Sequence, residues 1–171
     1  MIAAVTLACA SARVQPAVRG PFTPGSVRRL YVLVDHRAAH VGCVDYGEML
    51  RQALREALAQ QKVENESNLM ATTEPDAHLA AIRAYSADLV LVVRATGGRP
   101  GTTKFFPKCG SYILWYDPLS YDVTVFNSAL DMRVWHASAS NSGGGTSWQM
   151  RKRFRKMAVA IVERLRQDSV F

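Results

Sequence analysis

Residues 87–93, Ala-Asp-Leu-Val-Leu-Val-Val, constrain this chain more than any other stretch. The run is continuously apolar after Asp88, rich in β-branched residues, and bounded by Ser86 on one side and Gly97-Gly98 on the other. A run of that length and composition is a strand buried on both faces rather than an amphipathic surface strand, and it needs helices over at least one side. The rest of the chain must therefore supply cover.

It does so in order. Residues 29–35, Arg-Leu-Tyr-Val-Leu-Val-Asp, predict a first strand. Asp45 and Glu48 are spaced as an N-cap and an acidic third helical residue, ahead of Leu50, Ala53, Leu54, Ala57 and Leu58 at helical intervals. That predicts a helix over 45–61. A short polar strand is expected near 62–66. Thr73-Glu74-Pro75 is a start signal for a second helix whose inward face would be Leu79, Ile82 and Tyr85. Beyond the central strand, residues 112–116, 121–126 and 133–139 are strands by residue type, and the short 127–132 connection predicts an antiparallel hairpin. A last helix follows Ser142-Gly-Gly-Gly-Thr146-Ser147. Its apolar stripe is Met150, Phe154, Met157, Ile161 and Leu165, and its opposite face is basic.

The element order β-α-(β)-α-β-β-β-β-α predicts an α/β (α+β) two-layer sandwich, with a mixed sheet of about five strands and three helices mostly on one face. The 171 residues, 49% of them hydrophobic, suffice for one core. We expect a single domain over 29–171. Residues 1–28 divide into an export or lipidation signal and a spacer carrying Pro16, Pro21, Pro24, Gly20 and Gly25, a composition that favours an extended tether. No run approaches the roughly 18 apolar residues of a membrane-spanning helix.

The amino-terminal stretch is small and apolar and ends in Thr6-Leu7-Ala8-Cys9, which resembles a bacterial lipobox with its Leu one place late. That resemblance implies acylation of Cys9. The strand, amphipathic helix, second helix ending Tyr85-Ser-Ala-Asp88, apolar strand, and hairpin with an acidic turn and Val134-Trp135 together are similar to small Gram-negative envelope lipoproteins of the TolB amino-terminal and curli-secretion-lipoprotein type. The resemblance spans roughly residues 29–168 as a pattern. It implies location at the periplasmic face of the outer membrane and a role in binding or assembling a protein partner, with no catalytic residue and no cofactor carried over.

Candidate sites are few. Cys43 and Cys109 follow strands expected to be parallel, so both lie in loops at one end of the sheet, where an oxidising compartment would permit a disulfide. His36, His40 and Asp45 gather at the same end, and with the cysteines they have acceptable donor types for zinc. No Cys-x2-Cys fixes that geometry, and a solvated His pair is the simpler account. Thr96-Gly-Gly-Arg-Pro-Gly-Thr-Thr-Lys104 has the wrong order for a phosphate-binding loop, since no Gly-Lys-Ser/Thr opens a helix. Lys104-Phe105-Phe106-Pro107-Lys108 places two aromatics between two lysines, the composition of a partner or lipid-headgroup contact.

The formal net charge of +7 is concentrated in part at Arg151, Lys152, Arg153, Arg155 and Lys156. A cytoplasmic nucleic-acid-binding module is therefore one alternative. A small hydrolase is another, although His36, His40, His78 and His136 have no adjacent nucleophile signature. The favoured reading is a non-catalytic, lipid-anchored envelope protein.

Overall fold

The computed structural model describes residues 13–15, 18–19, 27, 29–36, 40–41, 44–70, 75–97, 118–129, 131–141 and 147–171. In chain order these form β1 (Arg13–Val14), β2 (Val18–Arg19), β3 (Arg29–Asp35), β4 (His40–Val41), β5 (Val44–Asp45), α1 (Tyr46–Gln60), β6 (Glu64–Leu69), α2 (Pro75–Tyr85), β7 (Leu89–Gly97), β8 (Leu119–Asn127), β9 (Met132–Asn141) and α3 (Ser147–Gln167). Five long strands make the sheet in the order β9-β8-β7-β3-β6, and the short β1 and β2 both pair with the outer edge of β9. The neighbours β7, β3 and β6 are parallel, with β6 at the edge, whereas β7-β8 and β8-β9 are antiparallel. The result is the mixed-sheet α/β sandwich expected.

Strand alternation explains the layers. In β3, Leu30, Val32 and Val34 point to one face and Tyr31 and Leu33 to the other, and all five are at most 4% exposed. In β7, Leu89, Leu91 and Val93 share the first face, with Val90 and Val92 on the second. The first face meets α1 through Leu50, Leu54 and Leu58, and α3 through Met150, Phe154, Met157, Ile161 and Leu165. Each buried aliphatic side chain contributes about 1.5–3 kcal/mol. The second face is covered by α2 through Ala81, Ile82 and Tyr85. Leu79, expected inside, is 47% exposed instead. It stands nearly a third of a turn from the centre of the stripe formed by Ala81, Ile82 and Tyr85, and the packing follows that stripe.

Other boundaries moved for local reasons. The second strand runs over Glu64–Leu69 rather than 62–66, because Lys62 adopts a left-handed φ of 60° in the turn that ends α1. Backbone N–H groups of Lys62 and Val63 donate to Ala59 and Leu58 there, closing the helix before the strand begins. The central strand starts where Asp88 accepts a hydrogen bond from the Arg29 backbone N–H at 2.9 Å, which sets β7 beside β3. Within the stretch expected as a spacer, Arg13–Val14 and Val18–Arg19 hydrogen-bond to β9, with Arg13 opposite Ser140 and Val18 opposite His136. Among the described residues no helix is long and apolar enough to cross a membrane. The strand expected at 112–116 lies outside the described residues.

The carboxyl end of α3 is clasped to the sheet. The Trp135 indole N–H donates to Asp168 Oδ2 at 2.8 Å, and Arg164 Nε donates to the same oxygen at 2.8 Å. Trp135 is 1% exposed and Asp168 8%. An Asp168→Ala change strands the indole donor in a dry site, a loss of about 1–3 kcal/mol, whereas Asp168→Asn keeps an oxygen acceptor and loses less. Urea unfolding of the two variants should rank them in that order.

Candidate functional site

The parallel strands β3 and β7 end side by side, and α1 begins directly after β5. Carboxyl ends of parallel strands next to a helix start are where α/β folds place ligand-facing groups. Asp45 caps α1, its Oδ1 accepting the Glu48 backbone N–H at 2.9 Å. Glu48 does not complete a reciprocal capping box. Its carboxylate instead takes two bonds from Arg51, at 2.5 and 2.7 Å, and those bonds hold it below the usual Glu range.

His36 follows the last residue of β3 and is packed between rings. It stacks on Tyr121 with centroids 5.8 Å apart and planes at 23°, and Tyr46 lies 6.2 Å away. Its Nδ1 is 3.3 Å from the Tyr121 hydroxyl, and its buried Nε2 has no hydrogen-bond partner among the described residues. Gly47 is required by this closeness. A Cβ there would stand 3.2 Å from each of His36 Cβ, Asp45 Oδ1 and Leu69 Cδ2. Burial pushes the His36 pKa down, and the nearby carboxylates of Asp45 and Asp35 pull against that shift without reversing it.

A second polar feature crosses the face of the sheet away from α1 and α3. Asp35, 5% exposed, pairs with Arg94 at 3.2 Å, which offsets the cost of burying its charge. Arg94 stands opposite Asp122 on β8, and Asp122 Oδ1 lies 2.7 Å from His136 Nε2. Asp35, Arg94, Asp122 and His136 therefore form a polar row from β3 to β9 at cross-strand spacing. The row ties strands together and orients His136.

Of the groups singled out from the sequence, His36 and Asp45 do come together, as the zinc reading supposed. His40 sits in β4, paired with Asp45 of β5. Among the described residues no group of three or more His, Cys, Asp and Glu side chains is placed to hold a metal ion. Cys9, Cys43, Cys109, Lys104, Phe105, Phe106 and Lys108 all lie outside the described residues, as does the 143–146 glycine stretch. The parallel pairing of β3 with β7 does hold, so these two strands finish at the same end of the sheet. Tyr46 and Tyr121 were not legible as partners of His36, because they belong to elements that meet only in the folded core. Trp148 was also missed, though it stands just before the basic run and is 68% exposed.

No family model matches the sequence, and no curated protein matches it. Solved structures do. The chain is similar in fold to the PelC dodecamer subunit from Paraburkholderia phytofirmans, at 14% identity and a TM-score of 0.50, covering 87% of this chain and 96% of that one. A neuraminyllactose-binding hemagglutinin homolog from Helicobacter pylori aligns at 10% identity and a TM-score of 0.45, over 90% of both chains. A DUF330 protein from Xanthomonas campestris aligns at 9% and 0.42, over 90% of this chain and 94% of its own. The PelC likeness is one of fold, and it extends across nearly the whole of both chains.

The His36 environment makes stability pH-dependent. Unfolded His36 protonates near pH 6.5, and folded His36 only at lower pH. Between those two values the unfolded chain binds more protons, so stability falls as pH falls through that window. The melting temperature should drop between about pH 7 and about pH 5, and the drop should be smaller in His36→Phe. Parallel curves for the two proteins would assign the pH dependence elsewhere.

Proposed function

We propose that this chain is a non-catalytic cell-envelope lipoprotein domain, anchored through Cys9, that binds or helps assemble a protein partner in the periplasm. The observation that carries the reading is the fold shared with PelC over 87% of this chain, since that neighbour is itself a subunit of a dodecamer. Two features of the molecule agree with it. The buried histidine and the cross-strand charges are used in packing and strand pairing rather than gathered around an open cleft. The lipobox-like Thr6-Leu7-Ala8-Cys9 stands four residues ahead of β1, so an anchor there would hold the domain close to a membrane. The aromatic-basic segment Lys104, Phe105, Phe106 and Lys108 is the proposed partner contact, and a Cys43–Cys109 bridge would fasten the segment that carries it.

One protein preparation tests the reading. Intact mass of the chain purified from its own cells without reductant should show loss of residues 1–8, a lipid-sized increment on Cys9, and the two-proton deficit of a Cys43–Cys109 disulfide. The same preparation should retain a partner that the Phe105→Ala, Phe106→Ala double variant loses while its unfolding curve is unchanged. An unmodified amino terminus overturns the anchor. An unchanged set of partners overturns the contact.

A further inference from the structure

The outward face of α3 carries a feature that neither packing nor the proposed partner segment explains. Trp148 is 68% exposed, and Lys152, Arg155 and Val159 continue from it at spacings of four, three and four, one line along the helix surface. Arg151 and Lys156 flank that line, both exposed. Among the described residues the one carboxylate paired with these four cations is Glu56, 3.6 Å from Arg155. Lys152 Nζ instead lies 5.5 Å from the centre of the Trp148 ring. The first turn of α3 holds no acidic residue, although the positive pole of a helix favours one. The cations begin directly after that turn, at Arg151 and Lys152.

We propose that this face of α3 docks on an anionic membrane surface, with Trp148 at the headgroup level and Arg151, Lys152, Arg155 and Lys156 against lipid phosphates. Three observations select a lipid surface over other polyanions. A lone exposed Trp ringed by cations with long aliphatic stems is the composition of a membrane-interface contact. Single-strand nucleic acid calls for successive stacking platforms, and the next aromatic on α3, Phe154, is fully buried. The third observation is the direction of the chain. β1 runs antiparallel to β9 and packs against α3, with Arg13 opposite Ser140. Read from Val14 to Arg13, β1 points the way β9 points from Ala139 to Ser140. Cys9 precedes Arg13 by four residues, a reach of at most about 14 Å. This third argument rests on the lipoprotein reading; the first two do not. One acyl-bearing residue and one polybasic face together make the paired signal that stable membrane attachment requires.

The test uses the full chain made without acylation, so that α3 is read alone. It should co-sediment with vesicles of equal parts phosphatidylcholine and phosphatidylglycerol and remain in solution with phosphatidylcholine alone. The Arg151→Gln, Lys152→Gln, Lys156→Gln triple variant should bind the anionic vesicles at least about tenfold more weakly, and binding should fade as salt shortens the screening length. Tryptophan emission should shift to the blue on binding, and Trp148→Phe should abolish the shift. Equal binding to both vesicle types, or a triple variant that binds like the parent, overturns the proposal. So does complete release from the vesicles by single-stranded DNA or polyglutamate at matched charge, which would reassign the face to a soluble polyanion. Vesicle failure with an acylated Cys9 in the native protein sinks the docking face and leaves the envelope reading standing. Vesicle binding with an unmodified Cys9 does the reverse.

Discussion

Everything in this molecule depends on β3 and β7 lying parallel and being apolar on both sides. Parallel neighbours cannot be joined by a hairpin, so α1, β6 and α2 are obliged to carry the chain from the end of one back to the start of the other. Because both faces of the pair are apolar, helices must cover both. The faces are unequal. α1 and α3 share the larger one, and α2 alone closes the smaller around Tyr31, Leu33 and Val90. The Arg29–Asp88 bond at one end and the Asp35–Arg94 pair at the other keep the two strands in register.

The antiparallel half has a different logic. β8 and β9 present Tyr121, Val123, Val125, Trp135, Ala137 and Ala139 to α1 and α3, and polar residues to the other side. That second face carries the Asp122–His136 pair in place of a helix. The outer edge of β9, which would otherwise offer unpaired backbone groups, is closed by β1 and β2 from the start of the chain. The same pairing sets β1 against α3.

Much of this was legible in the sequence. Periodicity alone placed α1 and α3, since Leu50-Leu54-Leu58 and Met150-Phe154-Met157-Ile161 repeat over several turns and few alternatives satisfy them. The Asp45 cap was readable because its spacing to Glu48 is local. The hairpin β8-β9 was readable from two β-rich runs with a short connection. Failures came where few apolar residues leave the face ambiguous. In α2, Leu79 was expected inward together with Ile82 and Tyr85, and contact with the Tyr31 and Val90 cluster selected Ala81, Ile82 and Tyr85 instead. The extra pairing of residues 13–14 and 18–19 was hidden by nearby prolines, which signal extended chain equally well for a free spacer and for an edge strand.

The candidate site divides along the same line. By itself the sequence determined which residues are apolar, at what interval, and where helices begin, and therefore the fold class and a basic last helix. Those properties depend on neighbours within a few residues. Tertiary structure alone decided that His36 stacks on Tyr121, that the Trp135 indole reaches Asp168, and that the face of α3 carrying Trp148 is turned to solvent. The first two pairs span 85 and 33 residues of chain. Trp148 is solvent-exposed because Met150 and Phe154 fix the helix rotation by filling the core. No local pattern encodes contacts of that kind, because which side chains meet is set by how the sheet and its helices pack.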